Sequence, residues 1–442
     1  MQIRFYNSLT NRVEDFIPRD PNNILMYACG STVYDDMHIG NIRAALTADI
    51  VYRILRHKYG SNSVTYSRNI TDIDDKIINK SAESKTGWYD VAERYEDRNR
   101  EIMKSFGLLT PSYEPRATEN IPEIIHMISS LYKKGVAYIS GDNVYFDVSK
   151  SKQTFYWRNI EETEGRIKSN AEKRNQEDFV LWKSSKIGEP GWSLVLFNNG
   201  SAKNIIGRPG WHIECSAMID SSLGKTIDIH LGGKDLIFPH HENESRQSTC
   251  YHDSEYLAKY WIHNEFVGFG EEKISKSSRN YQDLRKIISN HGAEAVKTAL
   301  LMTRYRKYLS WDEDVLQNSR SWLDKAYRGL GDTVGEPITE FVKLIYDDMK
   351  IPEALNLLRH GDHKPEDIRA SANILGLLEM TEEEWFKGNN QKLIDIVQNL
   401  VDKRNEYRYS KQYEESDRIK LELLQMGVQL EDHNIGTDWR FL

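Results

Sequence analysis

Two short segments far apart in this chain combine residue types that handle phosphates: His38-Ile39-Gly40-Asn41 and Lys273-Ile274-Ser275-Lys276-Ser277. In the first, the histidine can donate a hydrogen bond to a phosphate oxygen as negative charge builds in a transition state, and the glycine lets a nucleotide approach the backbone. In the second, two ammonium groups stand three residues apart among small hydroxyl residues, with Gly268 and Gly270 before them and Asn280 after. That composition reads as a closing loop whose charge can stabilise a pyrophosphate leaving group. Each segment also has a plain reading, as a helix start with a surface histidine and as a solvated Lys/Ser loop.

A second set of residues could hold a metal. The three cysteines are an odd number at unrelated spacings, so they imply no disulfide framework and are better weighed as ligands. Cys29 precedes the first phosphate segment, and Cys215 lies within Gly210-Trp211-His212-Ile213-Glu214-Cys215-Ser216. His240 and Glu244 are four apart on a helix expected to start after Pro239, which puts them on one face. Two thiolates, an imidazole and a carboxylate suit tetrahedral zinc. The alternative is that Cys29 and Cys215 are small buried hydrophobes, and the spacing, which is not that of a zinc finger, leaves both open.

These residues need elements to position them. Ile24 to Tyr27 reads as a buried strand and Cys29-Gly30-Ser31 as a turn. Ile39, Ile42, Leu46, Ile50 and Ile54 then mark one face of a helix that Gly60 should stop. A strand, turn and helix in that order aim free backbone N–H groups above the strand end, a natural phosphate site. Strand-like and helix-like stretches alternate over 1–115 and again over 205–250, the pattern of a doubly wound parallel sheet. Residues 116–204 read as an insertion dividing it, and residues 251–313 contain the lysine loop. Helical patterns follow over 314–387, with Leu355, Leu358, Ile374, Leu375, Leu377 and Leu378 as core, and a final segment spans 388–442.

At 442 residues, 39% hydrophobic and 29% charged, the chain has the composition of a soluble protein of several domains. No apolar run approaches membrane-spanning length and the first residues lack a signal-peptide layout, so a cytosolic protein is expected. A net charge of −8 argues against bulk electrostatic coating of nucleic acid. Local basic clusters remain at Arg304 to Lys307 and from Lys403 through Lys411, and solvated helix faces are the ordinary explanation for such clusters.

The two phosphate segments resemble the paired ATP-handling signatures of class I aminoacyl-tRNA synthetases. Cys29, Gly210 to Met218, Phe238-Pro239-His240-His241-Glu242-Asn243-Glu244 and Asn69-Ile70-Thr71-Asp72-Ile73-Asp74-Asp75-Lys76 together resemble the cysteinyl-tRNA synthetases of that class. The likeness extends to Gly436-Thr437-Asp438-Trp439-Arg440. It implies a Rossmann-like parallel sheet split by a connecting insertion, then a stem-contact region, a helical domain and a small anticodon-binding module. One zinc per chain is implied on Cys29, Cys215, His240 and Glu244, with the substrate thiolate joining them and His241, Glu242 and Cys250 as bystanders. ATP with magnesium would lie over His38, Gly40, Asn41, Gly232, Asp235 and Lys276, with Lys273 as a further catalytic lysine. Asp235 suits the ribose hydroxyls, and Thr71 and Trp211 would line the cysteine pocket. Arg418, Asp432, Trp439 and Arg440 would meet unpaired bases of the cysteine tRNA, and a monomer is expected. The chain departs from the family pattern in two places: Ser278-Arg279-Asn280 stands where Leu-Gly-Asn is usual, and the stretch before Gly210 is shorter.

Two other functions compete with tRNA charging. A related ligase could adenylate cysteine and pass it to an amino sugar, but would have no use for the C-terminal base-reading residues. A non-catalytic zinc protein that binds tRNA would have no use for His38, Lys273 and Lys276.

Overall fold

The computed structural model describes residues 1–153, 172–198, 201–269, 272–273, 283–433 and 436–441. Lys276 and the Ser278-Arg279-Asn280 departure lie outside the described residues, and only the backbone of Lys273 is described. The chain divides into two units, Met1–Leu316 with Val342–Leu355 and Gln317–Phe341 with Asn356–Leu442.

The first unit opens with a hairpin of β1 (Arg4–Asn7) and β2 (Arg12–Asp15), then enters β3 (Ile24–Ala28). Helix α1 (Ile39–Tyr59) carries the chain to β4 (Val64–Arg68), which pairs parallel to β3. The expected face of α1 is its buried face, since Ile39, Ile42, Leu46, Ile50 and Ile54 are all in the core. Gly60 ends it at φ +94°, a backbone state few side chains tolerate, with its N–H donating to the carbonyl of Arg56. Arg56, His57 and Lys58 in the last turn complement the negative end of the helix dipole.

After α2 (Asp75–Ser84) and α3 (Trp88–Ser105), α4 (Ile121–Lys133) begins an inserted layer. Its five strands are β5 (Ala137–Ser140), β6 (Asn143–Phe146), β7 (Phe179–Ser184), β8 (Trp192–Asn198) and β9 (Ser201–Pro209). They form an antiparallel sheet in the order β5-β6-β7-β9-β8. Ile124, Ile128 and Leu131 of α4 pack on Phe146, Leu181, Trp182 and Ile205 to give this layer its own core. Residues 205–209 therefore belong to the inserted sheet and not to the parallel one, as the sequence expectation had them. The apolar pair Ile205-Ile206 looks like a returning core strand, but Ile205 turns inward while Ile206 is exposed, as on a sheet covered on one face.

The central sheet resumes with α5 (Trp211–Leu223), β10 (Ile227–Gly233), α6 (Glu242–His252) and β11 (Ala258–Asn264). Its order is β11-β10-β3-β4, with all neighbours parallel. The sheet thus runs on to residue 264, past the expected limit of 250. Strand β11 reads Ala-Lys-Tyr-Trp-Ile-His-Asn because it is an edge strand, and lacks the aliphatic run that marks a central one. From β3 the chain moves to one side of the sheet and from β10 to the other, so a topological switch point lies between them. Beyond β11, β12 (Val267–Phe269) pairs antiparallel with β13 (Glu272–Lys273) and parallel with β14 (Leu309–Ser310).

In the second unit, α7 (Gln391–Tyr409) and α8 (Tyr413–Gln425) pack on a hairpin of β15 (Val428–His433) and β16 (Gly436–Phe441). Val397, Val401, Ile419, Leu423, Val428 and Trp439 form their shared core. Among the described residues no helix is long and apolar enough to cross a membrane.

Candidate active site and metal-binding cluster

The switch point opens on a cleft of about 430 Å3, lined from the β3 side by Cys29, His38, Gly40 and Asn41 and from the β10 side by Gly232 and Asp235. His38 caps α1: its Nδ1 accepts from the Gly40 N–H at 3.1 Å, and its own backbone N–H donates to Asn41 Oδ1 at 3.1 Å. This reciprocal cap satisfies two backbone donors at the helix start. With Nδ1 serving as acceptor, the neutral imidazole carries its proton on Nε2. Glycine is required on the opposite wall, where a β-carbon on Gly232 would stand 2.6 Å from Cε1 of His241.

Cys29, Cys215, His240 and Glu244 converge so that their four donor atoms lie within 4.8 Å of one another. Cys29 Sγ is 3.9 Å from Cys215 Sγ and 3.5 Å from Glu244 Oε1, and His240 Nε2 is 2.7 Å from the same carboxylate oxygen. Two sulfurs at 2.3 Å from a tetrahedral zinc would be separated by about 3.8 Å, so the sulfur edge already has the right length. The His240–Glu244 edge is a hydrogen bond, shorter than the roughly 3.3 Å between two tetrahedral ligands, and would widen as a metal replaces the shared proton. His240 lies in the π-helical turn that follows Phe238 and runs directly into α6, so it reaches Glu244 four residues on, as the spacing predicts.

The electrostatics of this cluster call for a cation. Burial alone would keep Cys215 protonated, but hydrogen bonds from Cys29 and His240 outweigh it and bring the thiol to about 6. His240 is opposed by burial yet raised to about 10 by Glu244 and Cys215. Burial also opposes ionisation of Glu244, but His240 and His230 hold its carboxyl well below the usual range. Cys29, next to these anions, is pushed up by burial and by Cys215. A buried thiolate and carboxylate balanced by one imidazolium fit a soft divalent ion, which also gives the remaining thiol a reason to ionise. A second quartet, Cys29, His230, His241 and Glu244, is equally close. It offers one sulfur where the first offers two, and His230 Nε2 is already bonded to Glu244 Oε2 at 2.8 Å.

A histidine cluster surrounds the quartet that the sequence did not reveal. His212 Nδ1 meets His240 Nδ1 at 2.9 Å, His241 Nδ1 meets His263 Nε2 at 2.8 Å, and His263 Nδ1 meets Ser8 Oγ at 2.9 Å. Burial drives His212 and His241 well below their ordinary value and His263 to about 3, so these rings are neutral and serve as hydrogen-bonding partners. The signal was present in His230, a polar residue inside the buried run of β10.

Trp211 lines the cleft and stacks on His240, with ring centroids 4.1 Å apart. Thr71 is buried behind the wall, its hydroxyl accepting from Asn69 Nδ2 at 3.1 Å; its neighbours Asn69 and Ile70 line the cleft and Thr71 does not. Lys76, unremarked as a site residue in the sequence, also lines the cleft, with its ammonium 5.2 Å from the centre of the Tyr34 ring.

The family described as tRNA synthetases class I (C) catalytic domain matches residues 15–321. The Cysteine--tRNA ligase of Parvibaculum lavamentivorans is 39% identical over 468 residues, covering 100% of this chain and 98% of that protein. The Cysteine--tRNA ligase of Wolbachia pipientis subsp. Culex pipiens is 40% identical, covering 98% of this chain and 97% of its own. The chain belongs to the cysteine–tRNA ligase family of class I synthetases. Its fold is shared with more distant class I synthetases. A Mycobacterium tuberculosis methionyl-tRNA synthetase in complex with methionyl-adenylate superposes with a TM-score of 0.56 at 13% identity, covering 80% of this chain and 89% of that one.

In this synthetase the four residues expected to meet tRNA lie on the second unit in different states. Trp439 is a core residue whose indole N–H donates to Gln398 Oε1 at 2.9 Å, so its ring faces are not open for stacking on a base. Arg440 is tied to Asp324 and Gln429, and Asp432 to Arg404 and Arg408. Arg418 is exposed and forms a local ion pair with Glu415 at 2.9 Å, one turn back on the same helix. The exposed rings nearby are Tyr409 and Tyr413.

Proposed function

We propose that this chain joins L-cysteine to its cognate tRNA through a cysteinyl-adenylate. A carboxylate oxygen of cysteine attacks the α-phosphorus of ATP, the bond to the β-phosphate oxygen breaks, and pyrophosphate leaves with its electron pair. The terminal adenosine hydroxyl of the tRNA then attacks the acyl carbon, forming the ester and releasing AMP. The observation that carries this reading is that the Cys29, Cys215, His240 and Glu244 cluster borders the same cleft as the His38 turn, in a member of this family.

Each residue has a task that follows from its chemistry. His38 donates from Nε2 to the α-phosphate as charge grows on it, its ring held by the cap on Nδ1. Gly40 and Gly232 leave room for the nucleotide, and Asp235 at the rim accepts from the ribose hydroxyls. Lys273 and Lys276 neutralise the departing pyrophosphate, which magnesium accompanies. Trp211, stacked on His240, covers the amino-acid end and helps exclude water. Zinc on Cys29, Cys215, His240 and Glu244 would supply a soft Lewis acid that prefers the substrate thiolate to a serine hydroxyl. That difference in kind allows selection without an editing step, because a hydrophobic pocket separates such near-isosteres poorly. Arg418, on α8, and Asp432 and Arg440, on the C-terminal hairpin, contribute to the tRNA surface, and the protein works in the cytosol as a monomer.

The test is cysteine-dependent exchange between ATP and pyrophosphate, followed by charging of cysteine tRNA, with zinc measured per chain. Exchange with cysteine and not serine, and loss of zinc in Cys215→Ala, are expected. Full zinc occupancy in that variant would overturn the ligand set, and charging without exchange would overturn the adenylate. The amino-sugar alternative gains no support, since the relatives match along the whole chain, C-terminal hairpin included.

A further inference from the structure

Arg43 lies on α1, little more than one turn beyond His38, and is only 2% exposed. A guanidinium buried so deeply normally meets a carboxylate, but this one is satisfied by four backbone carbonyls. Nη1 donates to Glu265 at 3.1 Å and to Phe266 at 2.7 Å, and Nη2 donates to Arg304 at 3.1 Å and to Lys307 at 2.7 Å. The planar fork of arginine suits this arrangement, since it presents paired donors in fixed directions that a lysine cannot reproduce. Burial lowers its pKa to about 10 against the opposing pull of Glu265, so it remains charged at neutral pH.

The carbonyls it binds belong to two segments that run side by side, the link between β11 and β12 and the loop that leads into β14. Glu265 N–H donates to Tyr305 O at 2.8 Å, Leu309 N–H to Phe266 O at 3.1 Å, and Trp311 N–H to Gly268 O at 2.8 Å. Glu265, Phe266 and Val267 line the cleft, and Gly268 pairs with Lys273 across β12 and β13. One guanidinium therefore fastens the helix that begins at His38 to the strands that lead to Lys273.

We propose that Arg43 is a positioning residue for adenylate formation, its four carbonyl bonds setting the separation between the His38 turn and the β12–β13 strands that carry Lys273. The inference rests on the adenylate reading above. Arg43 touches no substrate; it fixes where two charge-stabilising groups stand relative to the α-phosphate and the leaving pyrophosphate. Misplacing such groups by about an ångström is enough to slow a reaction by about a hundredfold.

Arg43→Lys and Arg43→Ala, each with zinc content and circular dichroism measured, provide the test. In Arg43→Lys, kcat for cysteine-dependent pyrophosphate exchange should fall by about ten- to a hundredfold, while zinc stays at one per chain and KM for cysteine stays within about twofold. In Arg43→Ala the loss should be larger, and millimolar guanidinium chloride should restore at least about fivefold of it where equal ammonium chloride does not. Should the alanine variant fail to fold, the lysine variant decides. A folded Arg43→Lys with kcat within about twofold of the unaltered enzyme overturns the inference. Parallel loss of kcat, zinc and cysteine affinity overturns it too, as the mark of general disruption. Absence of exchange in the unaltered enzyme would instead overturn the adenylate reading and this inference with it.

Discussion

His38 does two things with one ring, because Nδ1 closes the start of α1 while Nε2 keeps the proton. His38→Asn separates them, since asparagine is among the best helix caps but cannot reach as far as Nε2. Exchange turnover is expected to fall by about a hundredfold, with the melting temperature nearly unchanged; turnover within about threefold of normal would show that the cap is all that matters. Asp432 gives a pH-dependent prediction. Hydrogen bonds from Arg404, with help from Thr437 and Arg408, hold its carboxyl well below the usual range. The stability this supplies is present above the unfolded value of about 3.9 and is lost as pH falls through the lower folded value. Asp432→Asn should therefore cost about 1 kcal/mol or less at pH 7, given the solvent reaching this pair. The gap between the two proteins should narrow below about pH 4, and a gap that widens on acidification would contradict the assignment. The quartet residues and His38 could be found from type and motif. Arg43 could not, because its partners are backbone carbonyls that no pattern along the chain announces, and of the histidine cluster only His230, a polar residue within a buried strand, gave a sign.

At the level of elements, α1 was legible because its apolar spacing, its cap and its terminating glycine all agree. The limits of the insertion and of the central sheet were not. Strand β9 alternates inward and outward like many others, and its pairing with β7 and β8 is a non-local fact. The burial of Trp439 was hidden for the same reason, since an aromatic residue in a polar tail reads equally as core or as a base platform. The C-terminal hairpin has its own core with α7 and α8, and none of the proposed chemistry uses it. Removing residues 388–442 should leave cysteine-dependent exchange near normal and abolish most tRNA charging, provided the shortened protein stays folded by circular dichroism. Undiminished charging would show that the tail does not recognise tRNA and would favour the amino-sugar ligase.

For the whole molecule, all four residues of the quartet lie in the first of the two units, and the second has a separate core. A ligand that binds only the folded state raises stability by mass action, by about 2.7 kcal/mol at a hundred times its Kd. Calorimetry with and without a chelator should show the transition of the first unit moving down on zinc removal while that of the second stays in place. Equal shifts in both would argue against zinc on this cluster.

The separation of Cys29 from Cys215 by 186 positions has a consequence for how the chain tolerates change. Much of the intervening chain is an antiparallel sheet packed on α4 and α5, and lengthening the connection between the ligands adds only the entropy of closing a longer loop. That entropy grows with the logarithm of length, by about 0.6 kcal/mol for each doubling. Residues can accordingly be gained or lost within the insertion, as in the short stretch before Gly210, with almost no effect on the free energy of bringing the two sulfurs together. The length of this segment is free to drift over evolutionary time while the chemistry at the switch point stays fixed.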